Sequence, residues 1–124
     1  MLTIHIFGKS EGCTKCAALK RKVASVIGED DYRGKFAVVF HDVLTEDGIA
    51  DFCLTNINPN CIPGIVIGGD AGFLPSRCTS DEWLADGSLL RPWLGRFTDY
   101  GERHRGVISS EEIRALLTDA LEIA

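Results

Sequence analysis

Apolar residues alternate at the start of the chain: Leu2, Ile4 and Ile6, followed by Phe7, stand at the two-residue period of a strand over about 2–7. From residue 13 the period changes. Leu19, Val23, Val26 and Ile27 recur at three- and four-residue steps, which predicts a helix that opens at Cys13-Thr14-Lys15-Cys16 and fades near Gly28 and the acidic run Glu29, Asp30, Asp31. Phe36 to Phe40, a compact run rich in Val and Phe, reads as a second strand. Thr45 is then the expected N-cap of a short helix carrying Ile49, Phe52 and Cys53 on one apolar face.

Beyond a loop of Asn56, Asn58, Pro59 and Asn60, Pro63 precedes a short buried strand, Ile65, Val66 and Ile67, that ends at Gly68 and Gly69. Proline is tolerated at a strand's first position because its missing N–H costs little there. Over about 70–100 the periodicity is poor, with a helical turn expected at 81–85 and apolar and aromatic residues around Pro92. A last strand is expected over about 103–108. Ser109 and Glu112 then form a capping box ahead of a helix whose apolar face is Ile113, Leu116, Leu117, Ala120 and Leu121.

The chain of 124 residues is one domain long, and 45% hydrophobic with 25% charged residues is ordinary for a globular protein. A net charge of −5 argues against a nucleic-acid surface, and the basic clusters Lys20-Arg21-Lys22 and Arg103-His104-Arg105 read as solvated faces. The N-terminus lacks the pattern of a signal peptide and no apolar stretch approaches a membrane span, so a cytoplasmic protein without a membrane partner is expected. Five cysteines, an odd number without the spacing of a disulfide framework, suit catalysis or metal binding better than stapling.

The chemistry concentrates on Cys13 and Cys16. Three residues apart on a helix, they share one face with Cβ atoms roughly 5–6 Å apart, close enough to close a disulfide. Cys13 also stands where unpaired backbone N–H groups and the positive end of the helix dipole favour a thiolate, and Lys15 adds a cation.

This order of elements, with Gly12-Cys13-Thr14-Lys15-Cys16 near its start and Cys61-Ile62-Pro63-Gly64-Ile65-Val66-Ile67-Gly68-Gly69 later, resembles the thioredoxin fold, in its compact glutaredoxin-like version. The resemblance covers about 1–69 and 102–124. It implies one α/β domain over 1–124, a central mixed four-stranded sheet flanked by helices, and an insertion over about 70–100 before the last strand. It also implies a thiol-disulfide oxidoreductase acting on protein or small-molecule disulfides. Cys13 would be the nucleophile, Cys16 the resolving thiol, Pro63 the substrate-side support and Lys15 an electrostatic tuner, with Thr14, Ile62, Gly69 and Asp70 against the substrate.

No resident cofactor is implied. Glutathione enters as a candidate co-substrate, although Gly68-Gly69-Asp70 comes at the strand's end rather than after a hairpin, and Thr14-Lys15 replaces the family's usual inter-cysteine pairs. The Ile62-Pro63 bond is expected cis, from the resemblance and because the chain must turn sharply out of the asparagine loop where a cis bond costs only about 0.5–1 kcal/mol.

The alternative is a binding module, or a metal or cluster site on Cys13, Cys16 and Cys61. Cys53 reads as core and Cys78 as incidental. His5, His41 and His104 show no ligand spacing and read as structural or exposed. Trp83, Trp93 and Phe97 suit a satellite core under the 70–100 stretch.

Overall fold

A computed structural model of the chain describes residues 2–54, 62–68, 94–98 and 108–123. Seven elements follow in order: β1 (Leu2–Gly8), α1 (Thr14–Ile27), β2 (Phe36–Asp42), α2 (Glu46–Leu54), β3 (Gly64–Gly68), β4 (Leu94–Phe97) and α3 (Ser110–Ile123). The strands form a mixed sheet in the order β2-β1-β3-β4. β1 runs parallel to β2, as a strand–helix–strand crossover requires, and antiparallel to β3. β3 is antiparallel to β4.

One face of the sheet carries the core. Ile4, Ile6, Ile65 and Ile67 meet Leu19, Val23 and Val26 of α1 and Ile113, Leu116, Leu117 and Ala120 of α3. The helical stripes anticipated from the three- and four-residue steps are the ones that pack. Capping also follows the residue types: Thr45 Oγ1 accepts from the Gly48 N–H at 3.0 Å, and Ser109 Oγ accepts from the Glu112 N–H at 3.1 Å.

The opposite face is also covered, so that Thr3, His5, Phe7 and Val66 are buried as well. His5 does point away from Ile4 and Ile6, but it is 0% exposed, and its Nδ1 lies 3.0 Å from Nε2 of His41. His41 in turn stacks on Phe7 with ring centroids 4.8 Å apart. His5 thus sits in a central strand whose two sides are both packed, and His41 stands beside it on the neighbouring edge strand β2.

Three expectations need correction. The fourth strand is Leu94–Phe97, inside the stretch read as irregular insertion, so the connection from β3 to β4 is 69–93 and the insertion does not reach 100. Ile108 belongs to no strand; it is a buried core residue just before α3. The rest of the strand expected over 103–108, and the turn expected at 81–85, lie outside the described residues. Ile49 is 39% exposed rather than core-facing, and Gly48 is the buried residue of that turn. A Cβ on Gly48 would collide with the Asp42 carbonyl, so glycine is what lets α2 close onto the end of β2.

Tyr32 ties the pieces together. Its hydroxyl donates to the Arg114 carbonyl at 3.2 Å and lies 3.0 Å from the Thr118 hydroxyl, which anchors α3 to the segment after α1. Beside it Arg114 holds Glu29 in a bidentate pair, with Nη2 2.9 Å from Oε2. The guanidinium hydrogen bond holds the Glu29 carboxyl below the usual range and raises Arg114 in turn.

Candidate functional site: a disulfide at a helix start

β1 ends at Gly8, and the chain reaches α1 through an exposed turn, Lys9 to Gly12, whose last residue takes φ +70°, a left-handed value that glycine adopts without strain. Asp42 at the end of β2 pins this turn. Its Oδ1 accepts from the Ser10 N–H at 3.3 Å and from the Leu44 N–H at 2.9 Å. The Ser10 side-chain hydroxyl first, and then the Leu44 and Ser10 backbone N–H groups, hold the Asp42 carboxyl below its ordinary value and so keep it an acceptor.

Cys13 is the N-cap of α1, with extended backbone at φ −135° and ψ 100°, and its Sγ accepts from the Cys16 N–H at 3.1 Å. That contact uses one of the helix's unpaired N–H groups, so the first sulfur sits on the positive end of the helix. Cys13 and Cys16 are joined in a disulfide, with Cα atoms 5.3 Å apart. The two sulfurs differ in access. Cys13 is half-buried beside exposed Thr14, whereas Cys16 is 0% exposed and receives the Lys9 N–H at 3.3 Å. Lys15 is half-buried at the same turn.

Gly8 makes the seat for Cys16. A Cβ built on it would lie 3.2 Å from both Cβ and Sγ of Cys16 and 3.4 Å from the Phe40 ring. The same level of the sheet carries the proline. Phe7 is paired with Gly64, so the next residues outward are Gly8 and Pro63, which brings Pro63 to the end of the sheet where the dithiol sits. The Ile62-Pro63 bond is cis and Pro63 is buried. Its carbonyl accepts two hydrogen bonds from Thr98, from the backbone N–H at 3.2 Å and from Oγ1 at 2.6 Å.

Thr98 was missed in the sequence. It is 1% exposed and its hydroxyl is fully committed to the proline loop, yet it lies in a stretch where no periodicity marks it as inward-facing. Of the sequence-derived site residues, Cys13, Thr14, Lys15 and Cys16 are gathered at the start of α1, and Ile62 and Pro63 begin the adjoining strand. Gly69, Asp70, Cys61 and Cys78 lie outside the described residues, as does the Cys53 side chain. Among the described residues no group of three His, Cys, Asp or Glu side chains could hold a metal ion. No helix among them is long and apolar enough to cross a membrane.

Such a pair can be opened by two electrons and two protons and closed by their loss, and of its two residues Cys13 is the partly exposed one. No protein-family model and no curated protein matches the chain. Among solved structures it is similar to a crystal structure of a chloroplastic thioredoxin z, one described as defining a type-specific target recognition. The two are 20% identical with a TM-score of 0.58, over 98% of this chain and 80% of that one. At that identity the likeness establishes the thioredoxin fold.

Proposed function

We propose that this thioredoxin-fold chain is a thiol-disulfide oxidoreductase that reduces or exchanges disulfides through Cys13 and Cys16, in the compact glutaredoxin-like form of the fold. The observation that carries the reading is the asymmetry of the pair: a partly exposed cysteine at the helix N-cap, bonded to a fully buried one.

In the reductive direction the Cys13 thiolate attacks one sulfur of a substrate disulfide. A Cys13–substrate bond forms, the substrate S–S bond breaks, and the departing thiolate takes up a proton. Cys16, as thiolate, then attacks Cys13 Sγ, which releases the second substrate thiol and closes the Cys13–Cys16 disulfide. An external dithiol or thiol reductant restores the starting state, and glutathione is a candidate for that role. The helix N-terminus favours the Cys13 thiolate, with Lys15 as the nearby cation. Cis-Pro63 and Ile62 support the substrate backbone and Thr14 flanks it; the resemblance adds Gly69 and Asp70, which lie outside the described residues, as substrate contacts.

The test is a mixed-disulfide trap. Cys16→Ser should stop after the first step and accumulate a covalent adduct with a disulfide substrate, released by excess dithiol and visible as added mass. Cys13→Ser should form no adduct and turn over no substrate. An active Cys13→Ser variant, or adducts that form on Cys16, would refute the assignment.

A further inference from the structure

β2 ends the sheet order, so among the described residues one of its edges has no neighbouring strand. Which residues face that edge follows from the hydrogen-bond pattern. The Val43 N–H donates to the Gly8 carbonyl at 2.9 Å, which turns the odd-numbered residues of β2 toward β1. In a parallel ladder the backbone groups of alternate residues point to opposite sides. Phe36, Val38 and Phe40 therefore turn their N–H and C=O groups to the open edge.

Among the described residues that edge is little protected, the nearest cations being Lys35 just before it and Lys20, whose ammonium lies 4.2 Å from the Phe40 ring centroid. From 36 to 40 it carries no proline and no charge, and its register with β1 runs without a bulge from Leu2 with Phe36 to Gly8 with Asp42. Val38 at its middle is 40% exposed. The other exposed large hydrophobics among the described residues, Leu44 and Ile49, follow just after the same strand. An apolar edge without a bulge is a template for another strand.

We propose that the occupant is a second copy of this chain, joined by antiparallel β2–β2 pairing about a two-fold axis through Val38. The run Phe-Ala-Val-Val-Phe reads nearly the same in both directions. In an antiparallel pair the outward-facing residues of one strand must pair with outward-facing residues of the other. Centring the axis on Val38 satisfies this throughout: Val38 meets Val38, and Phe36 meets Phe40 on each side. Those three pairs use every outward N–H and C=O from 36 to 40. Ala37 meets Val39 on the other face. Lys35 falls opposite His41 and not opposite Lys35, whose two copies lie about 20 Å apart at the rise of an extended strand. No like charges are brought together, and the isologous contact closes both edges at once. The dimer would carry its two Cys13 sites on a continuous sheet. The proposal is independent of the redox reading.

Val38 offers a specific perturbation because its N–H points away from β1. Val38→Pro deletes the two bonds that the Val38 pair exchanges between copies and none within the protomer, at an edge position where proline is accepted. Val38→Lys places two ammonium groups across the axis. Sedimentation of the full-length protein under reductant, from micromolar to near-millimolar concentration, should give twice 13.5 kDa for the natural sequence at the upper end. Each variant should weaken that association by about tenfold or more. Amide exchange supplies a readout that needs no variant: Val38 and Phe40 amides should gain protection as concentration rises, while Val39 and His41 are protected throughout. A mass of 13.5 kDa at every concentration, open-ended larger assemblies, dimers that survive both substitutions, or Val38 and Phe40 exchange that ignores concentration would each overturn the proposal.

Discussion

Gly8→Ala tests how tightly the strand end and the dithiol are built together. The new methyl would lie 3.2 Å from Cys16 Cβ and Sγ and 3.4 Å from the Phe40 ring, tighter than ordinary van der Waals contact. Phe40 is half-buried and can swing, but Cys16 is buried, sits in the first turn of α1 and is tied to Cys13. The strain should therefore stay on the sulfur, at a cost of about 1–3 kcal/mol, as for other additions to a filled core. In the dithiol form the Cys16 side chain is released from its bond and can rotate its sulfur away from the methyl. Part of the cost, on the order of 1 kcal/mol, should then fall on the oxidised form alone. By the two-electron conversion this raises the reduction potential by about 20 mV. Two measurements close a cycle. Denaturant unfolding of the oxidised and reduced proteins gives the difference in destabilisation, and equilibration in dithiol buffers, read by alkylation and mass, gives the shift in potential. The two should agree. Equal destabilisation of both forms, or a potential that does not move, would show that the backbone of β1 does not press on Cys16 as the geometry requires.

Tyr32→Phe removes a hydroxyl shared between the Arg114 carbonyl and the Thr118 side chain, and should destabilise the fold by about 0.5–1.5 kcal/mol in denaturant unfolding while leaving the Cys13 alkylation rate unchanged. Thr98→Val leaves the Pro63 carbonyl only the Thr98 backbone N–H; disulfide-reduction kinetics should slow more than the global stability falls, and the opposite order would remove Thr98 from the site. Glu29 has a folded-state pKa below its unfolded one, so its pair with Arg114 contributes stability that is complete above the unfolded carboxylate value of about 4.3 and is lost as pH falls through the lowered folded value. Glu29→Gln should therefore lower neutral-pH stability slightly, by an amount that vanishes as pH falls through that range and so flattens that part of the acid-unfolding curve; the effect is small because a half-exposed pair is screened by solvent.

Elements whose residues choose their own structure were legible from the chain alone. α1 and α3 announce themselves by apolar steps and by Ser109 with Glu112, and β1 and β3 by short apolar runs bounded by glycine. β4 did not, because Leu94-Gly95-Arg96-Phe97 has little strand preference of its own and exists by pairing with Gly64 to Ile67. The run from Arg103 to Ile108 ended in Val and Ile and looked more like a strand, yet Ile108 is buried as a core plug before α3 and not as a strand residue. Alternation shows which residues of a strand share a face. It does not show whether that face is covered, which is how His5 came to be read as structural or exposed when it is fully buried against His41.

The candidate site divides along the same line. Cys13 and Cys16 are found from spacing, because the chemistry and the local helix coincide in four consecutive residues. The groups that hold them are separated in sequence and meet only through the sheet. Gly8 is an ordinary strand-end glycine until its Cα is placed against Cys16, and Asp42 is an ordinary loop acid until it receives the Ser10 and Leu44 N–H groups. Thr98 sits 35 residues from the Pro63 carbonyl it caps, and Tyr32 reaches α3 across 82 residues. Thr98 and Tyr32 are buried because distant partners satisfy their hydroxyls, and Gly8 and Asp42 meet the dithiol turn because β1 lies between β2 and β3. The reacting atoms are thus a local property of this chain, whereas their support is a property of the strand order, and substitutions at Gly8 or Thr98 probe the second without touching the first.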